Sequence, residues 1–161
     1  PLIAHWPAAI PAARRGALEA APGHLVDLMA TAIDIAGAQF PAEFAGHSTI
    51  PPEGRSLAPL LTPSVSPSPS VRPLFWEHEG NAAIRVGDWK LVRQGRTGPW
   101  ELYNLKRDRT ELHDLALTEP ARAKDLAAQW EAWALRAHAK PAPGEAGASA
   151  AAKKKKAKAD D

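Results

Sequence analysis

The sequence predicts an α+β fold, an antiparallel sheet of about four strands packed on a long C-terminal helix. Three observations predict it. Leu74 to Leu105, LFWEHEGNAAIRVGDWKLVRQGRTGPWELYNL, is a series of short apolar-rich stretches parted by turn residues, and it holds five of the chain's ten aromatics. Ile84-Arg85-Val86 and Trp89-Lys90-Leu91-Val92-Arg93 alternate with period two, as a sheet buried on one face requires. Beyond them Ala123, Leu126, Trp130, Trp133 and Ala137 recur at spacings of three and four, the apolar stripe of a helix.

Within the sheet, the strand candidates are 73–79, 82–94 and 99–105. Gly80-Asn81 and Gly87-Asp88 are tight-turn dipeptides. If Gly87-Asp88 is a turn the sheet has four strands, and if it is a bulge it has three; four is the expectation. The closing helix spans about Glu119 to Ala137, with Thr118 as its N-cap and Glu119 and Pro120 in the first turn. Its two tryptophans, Trp130 and Trp133, are placed to lie across the sheet as core.

Ahead of the sheet the signals are sparser. Pro1 to Pro7 reads as a short strand end closing at a Trp-Pro turn, and 8–22 as a Pro/Ala/Arg-rich connection. Gly23 to Gly37 is a helix with an apolar face of Leu25, Leu28, Met29, Ala32 and Ala36. Asp27, Thr31 and Asp34 form a polar stripe, read as a solvated face, with packing against a neighbouring domain as the alternative. His24 and Asp27 either cap this helix or face a neighbour, capping being favoured. Gly37 is the expected left-handed C-cap. Residues 38–61 look irregular and end in one helical turn burying the leucines of Leu57-Ala58-Pro59-Leu60-Leu61. Thr62 to Ser70, TPSVSPSPS, is an extended linker or loop.

Composition narrows the function classes. The 161 residues suit one core of modest size, and 16 prolines mean many turns. The formal charge of +2 belongs to the Lys-rich end; without the last eleven residues it is −1. Residues 140–161 are too poor in apolar surface to fold and are expected to be disordered. The Lys run offers phosphate contacts, but it lacks aromatics for stacking, so a solvated tail is favoured over nucleic-acid binding. Zero Cys excludes disulfides, zinc thiolates and thiol catalysis, and leaves the compartment open. No apolar run reaches the roughly 20 residues that cross a bilayer. The chain also begins without Met inside an apparent strand, which reads as a fragment.

Residues suited to chemistry are few. The six histidines show no zinc-ligand spacing, and phosphate-loop and nucleophile-elbow motifs are absent. The dense polar cluster is Glu77-His78-Glu79-Gly80-Asn81 at a strand end. Such loops carry binding groups, and a His beside carboxylates donates well to an anion. A solvated hairpin tip is the competing reading.

Several segments together resemble the sulfatase family. Pro1-Leu2-Ile3-Ala4-His5-Trp6-Pro7 is similar to its P-x-I-x-x-W-P stretch, and His24-Leu25-Val26-Asp27-Leu28-Met29-Ala30-Thr31 to its H-x-V-D-[LI]-x-P-T helix, with Ala30 replacing the usual proline. Glu53-Gly54-Arg55-Ser56-Leu57, followed by Pro59-Leu60-Leu61, is similar to D-G-x-S-L-x-P-L-L. Leu74 to Asn81, Arg85 to Leu91 and Trp100 to Leu105 resemble the arylsulfatase C-terminal subdomain.

The resemblance implies an arylsulfatase C-terminal portion of the alkaline phosphatase superfamily. Residues 1–61 would be a remnant of the α/β catalytic domain, 62–72 a Ser/Pro-rich loop, 73–139 the antiparallel sheet plus helix, and 140–161 the tail. It implies hydrolysis of sulfate esters, on a small molecule or a glycan, by a formylglycine nucleophile and a divalent cation, usually calcium. Both would lie in an upstream catalytic domain, so no catalytic or metal residue maps here and the chain alone should be inactive. Ser56 and Ser68 each miss the serine version of the nucleophile motif. His78, with Glu77 and Asn81, is expected at the rim of the substrate pocket. Two other functions stay open: a related phosphodiester or phosphonate hydrolase, and a non-catalytic polyanion-binding module.

Overall fold

A computed structural model describes residues 2–62 and 71–139. Most of the expected Ser/Pro-rich loop and the whole expected disordered tail lie outside the described residues. The chain divides into two compact units, Pro1–Ser70 and Val71–Asp161.

The first unit is organised by polar groups. Residues 2–7 form no strand, contrary to expectation; the Trp6 carbonyl accepts the N–H groups of Ala9 and Ile10 at 3.1 and 2.8 Å and turns the chain instead. Helix α1 runs Asp27–Ile35, starting later than expected because residues 24–26 are a turn. The His24 carbonyl accepts the Asp27 N–H at 2.9 Å, and Asp27 Oδ2 accepts the His24 N–H at 2.7 Å. This reciprocal pair acts as a capping box does. At the other end Gly37 has φ +61°, and its N–H and that of Ala38 reach Asp34 and Ile33 carbonyls. That is the expected left-handed stop.

The faces of α1 are the reverse of those expected. Asp27 and Thr31 are turned toward the strap 54–58 instead of being solvated, and Asp34, which stays exposed as expected, also bonds the strap. Asp27 is fully buried, and its Oδ1 accepts the Arg55 N–H at 2.9 Å. Thr31 Oγ1 accepts the Leu57 N–H at 2.8 Å, and Ser56 Oγ donates to Asp34 Oδ2 at 2.5 Å. The strap lacks regular structure up to Leu57, so its backbone N–H groups need acceptors, and the polar stripe supplies them. A Cβ on Gly54 would stand 2.0 Å from the Val26 carbonyl oxygen, so only glycine permits this approach.

Residues 38–61 are less irregular than expected. Strands β1 (Glu43–Phe44) and β2 (His47–Ser48) form a small hairpin, with Ala45 and Gly46 both at positive φ. Such short strands leave no periodicity to read. Helix α2, Ala58–Leu61, is the expected single turn, but its leucines are only half-buried, because α1 meets this segment through polar groups.

The second unit is a meander of β3 (Pro73–His78), β4 (Asn81–Val86), β5 (Trp89–Arg93) and β6 (Trp100–Asn104), all antiparallel, in that order. Gly87-Asp88 is a turn, so there are four strands as expected. The first turn is Glu79-Gly80, shifted by one from the expected Gly80-Asn81, and Asn81 already pairs with His78. Both turn residues have positive φ, +53° and +89°, as a type I′ turn requires. Helix α3, Pro120–Arg136, covers one face. Glu119, not Thr118, is its N-cap residue; the Thr118 hydroxyl is turned to the Leu115 carbonyl at 3.1 Å.

The register Phe75–Ile84–Leu91–Leu102 puts an apolar row across all four strands under α3. Ile84, Leu91 and Leu102 are fully buried there with Leu126, Trp130 and Ala134. Ala134 joins the core while Ala137, expected in the stripe, is exposed at the C-cap. Each large aliphatic residue so buried contributes about 1.5–3 kcal/mol. Trp133 stacks on Phe75 at 5.0 Å, and Trp130 meets Trp100 edge-on at 5.7 Å. Arg93 lies over the Trp100 and Trp130 rings at 4.6 and 5.2 Å. The β6 edge is closed by Asp114 Oδ1, which accepts the Leu102 N–H at 2.9 Å, and by Leu115 N–H donating to the Leu102 carbonyl at 2.8 Å.

Trp130→Ala is expected to lower unfolding stability by about 3–5 kcal/mol, read as a shift of the urea midpoint.

Candidate functional site

The α3-free face of the sheet is set by strand parity. Side chains alternate, so Trp76 and His78 share a face with Asn81, Ala83, Val92 and Glu101, opposite Phe75 and Ile84. On that face lies a shallow depression of about 360 Å³, lined among others by Trp76, His78, Asn81, Val92, Glu101 and Glu111. Trp76 is 39% exposed, an unusual state for an indole in a strand, and its ring forms one wall.

The three sequence-predicted residues occupy different roles. His78 is exposed at the hairpin end and borders the depression. Asn81 also borders it, but its side chain is engaged at both ends: Nδ2 donates to the His78 carbonyl at 3.0 Å, and Oδ1 accepts the Gly95 N–H at 2.9 Å. Glu77 is on the α3 side by parity, and its Oε1 accepts the Gly80 N–H at 2.9 Å. Glu79 occupies a left-handed conformation that costs a non-glycine residue about 1–2 kcal/mol. Glu77 and Asn81 hold the chain there, and so fix where His78 stands. The structure brings His78 and Asn81 together and turns Glu77 away from them.

Sequence reasoning missed the other wall. Glu101 and Glu111 reach the depression from β6 and from the segment after it. Glu101 Oε2 accepts the Tyr103 hydroxyl at 2.8 Å, and Lys90 Nζ is 2.5 Å from Glu111 Oε1. Burial, and then the bond to Glu101, push the Tyr103 phenol up to about 12. It stays protonated and donating at neutral pH. Period-two spacing within β3 is the signal that could have placed Trp76 on the face of His78. Their meeting with Glu101 depended on register.

The segment after β6 is fixed by another carboxylate. Asp108 Oδ2 accepts the Leu112 and His113 N–H groups, each at 2.8 Å. The backbone bond from His113 is the largest cause holding the Asp108 carboxyl below its ordinary range.

The depression offers an aromatic wall, an imidazole and carboxylates, a set suited to holding a polar ring-shaped ligand. Among the described residues, no three His, Cys, Asp or Glu side chains converge to hold a metal ion. No helix among them is long and apolar enough to cross a membrane.

No family model matches the chain. It is similar to Arylsulfatase K of Danio rerio, 31% identical over 124 residues, which is 72% of this chain and 23% of that protein. An uncharacterized sulfatase of Schizosaccharomyces pombe is 29% identical over 113 residues, 66% of this chain and 20% of that one. Among solved structures, Ps i-CgsB in complex with k-i-k-neocarrahexaose matches with a TM-score of 0.50 and 26% identity, over 68% of this chain and 23% of the other. With the four-stranded sheet and its closing helix, these matches define a sulfatase C-terminal portion, and the chain belongs to that family. It spans between a fifth and a quarter of the length of these relatives.

Tyr103 is the chain's single tyrosine, so tyrosinate absorbance near 295 nm reports it alone. The midpoint is expected near 12, against an ordinary value of about 10. Because the folded value is raised, the associated stability is complete below about pH 10 and is lost as pH rises through about 12. Tyr103→Phe should remove that part of the alkaline decline in melting temperature. A midpoint at the ordinary value would mean a solvated phenol.

Proposed function

We propose that the chain is part of an arylsulfatase, a hydrolase of sulfate esters whose nucleophile and cation are held by polypeptide outside these residues. The observation that carries this is the 31% identity with Arylsulfatase K across 72% of the chain. The reaction class calls for a formylglycine hydrate that attacks sulfur and a divalent cation, calcium, that neutralises the sulfate oxygens. The described residues do not fit that cation, since none of their acids and histidines cluster as ligands. Their contribution is to binding.

The β3–β4 hairpin is the part of this chain assigned to the substrate. His78 stands at the rim of the pocket and donates a hydrogen bond to the substrate. Asn81 and Glu77 position it through the carbonyl and amide bonds described above. A glycan bearing the sulfate suits the depression, where Trp76 offers a flat apolar wall and Glu101 an acceptor for hydroxyls. The complex of Ps i-CgsB with neocarrahexaose supports that substrate class.

Two measurements test this. The purified chain, incubated with 4-nitrophenyl sulfate and calcium, is expected to release no more nitrophenol than a heat-killed control. In the longer enzyme, His78→Ala is expected to lower kcat/KM about tenfold, or ~1.4 kcal/mol, with the melting temperature unchanged. A lower melting temperature with intact kcat/KM would make His78 merely structural.

A further inference from the structure

The tip of the β3–β4 hairpin is closed by a side chain from outside the hairpin. Gly80, the second residue of the turn, is buried even though it lies at the tip. Arg96, from the connection between β5 and β6, covers it: a Cβ on Gly80 would stand 2.9 Å from Arg96 Cγ and 3.5 Å from its Nε. The connection is anchored there. Asn81 Oδ1 accepts the Gly95 N–H at 2.9 Å, and Gly95 has φ +66°. A Cβ on Gly98 would stand 2.2 Å from the Gln94 carbonyl oxygen, so glycine is needed for this tight return. The fold thus lays the Arg96 stem along the turn.

The stem is held while the guanidinium is left free. Arg96 is exposed, and among the described residues it makes no hydrogen bond or ion pair. Arg93, three residues earlier, shows the contrast, since its guanidinium is engaged by Trp100, Trp130 and Glu131. Of the two hairpin carboxylates, Glu77 lies on the α3 side with its Oε1 on the Gly80 N–H. Gly80 follows His78 by two residues and Arg96 follows Gln94 by two, and His78, Asn81 and Gln94 border the depression at this end. One row further in, Trp76 and Glu101 line it, and beyond them Glu111 meets Lys90. The depression therefore has a cation at one end and carboxylates toward the other.

We propose that Arg96 is a specificity-determining residue that binds a second anionic group, a carboxylate or a further sulfate, on a sulfated glycan held in the depression. The proposal rests on the sulfate-ester reading for the reaction and adds the charge of the substrate. A guanidinium presents a planar fork of donors that either oxyanion accepts through two oxygens. With the stem already placed over Gly80, less side-chain freedom is lost on binding than for a solvated arginine. Glu101 and Glu111 repel an anion presented the wrong way round, so charge also sets the orientation of the ring.

The test uses the longer enzyme and three sulfated disaccharides: one carrying a uronate, its carboxyl-reduced neutral counterpart, and that counterpart with a second sulfate. Arg96→Gln keeps the part of the stem that covers Gly80 and removes the charge, whereas Arg96→Lys keeps the charge and loses the fork. The ratio of kcat/KM, anionic over neutral, is expected to fall about tenfold in Arg96→Gln, through KM, and about threefold in Arg96→Lys. A fall confined to the uronate identifies a carboxylate ligand, and one confined to the second sulfate identifies a sulfate; either supports the proposal. An unchanged ratio in Arg96→Gln would overturn it, and a lowered melting temperature beside that unchanged ratio would assign Arg96 to folding. Calorimetric binding of the desulfated uronate disaccharide is measured in parallel. If no sulfate ester is hydrolysed but this binding weakens about tenfold in Arg96→Gln, the functional reading fails alone. Hydrolysis with an unchanged ratio sinks the role of Arg96 alone, and neither hydrolysis nor a change in binding sinks both.

Discussion

The second unit depends on one indole. Trp130 is almost fully buried beneath the sheet, and its Nε1–H donates to the Trp76 carbonyl at 3.0 Å. That bond satisfies a polar atom which would otherwise be costly in an apolar core. It also ties α3 to β3 at the residue whose own side chain forms a wall of the depression on the opposite face. The same ring meets Trp100 edge-on and receives Arg93, so strands from both ends of the meander converge on it. A guanidinium between two indoles is worth about 2 kcal/mol when desolvated, and Arg93 Nη1 further approaches Glu131 at 3.7 Å. Packing on the helix side therefore sets the geometry of the opposite face.

The two units solve the same problem in different ways. The sheet and α3 bury a contiguous apolar cluster, legible in the alternation of the strands and the helical stripe. The α1 unit is held by carboxylates and hydroxyls accepting backbone N–H groups from a strap without regular structure before Leu57. Such bonds contribute only about 0.5–1.5 kcal/mol each, but they dictate geometry closely, and they leave the apolar surface free.

The hairpin of β3 and β4 shows how a motif read as chemistry can be partly mechanics. In Glu77-His78-Glu79-Gly80-Asn81, two of the polar side chains hold a strained turn, and a Cβ at Gly80 would meet Arg96 Cγ at 2.9 Å. His78 and Asn81 are both exposed at the depression, and Asn81 is the one whose side chain is engaged at both ends. The cluster is dense because a type I′ turn beginning with glutamate needs local acceptors and donors to persist. It follows that substitutions at Glu77 and at His78 act through different causes even though they neighbour each other in sequence.

The sequence by itself determined the sheet, its four strands and the closing helix, because period-two alternation, turn dipeptides and the 3.6-residue stripe are local signals that survive without knowledge of neighbours. It also determined the family, since the motifs match in order. Tertiary structure alone decided which face of α1 is buried. Asp27 and Thr31 read as solvated until a strap 20 to 30 residues away brings N–H groups to them. It likewise decided that Glu101 and Glu111 join Trp76 and His78, because strand register and the path after β6 bring distant residues together. Local periodicity fixes what a segment is, and long-range partners fix which side of it faces inward.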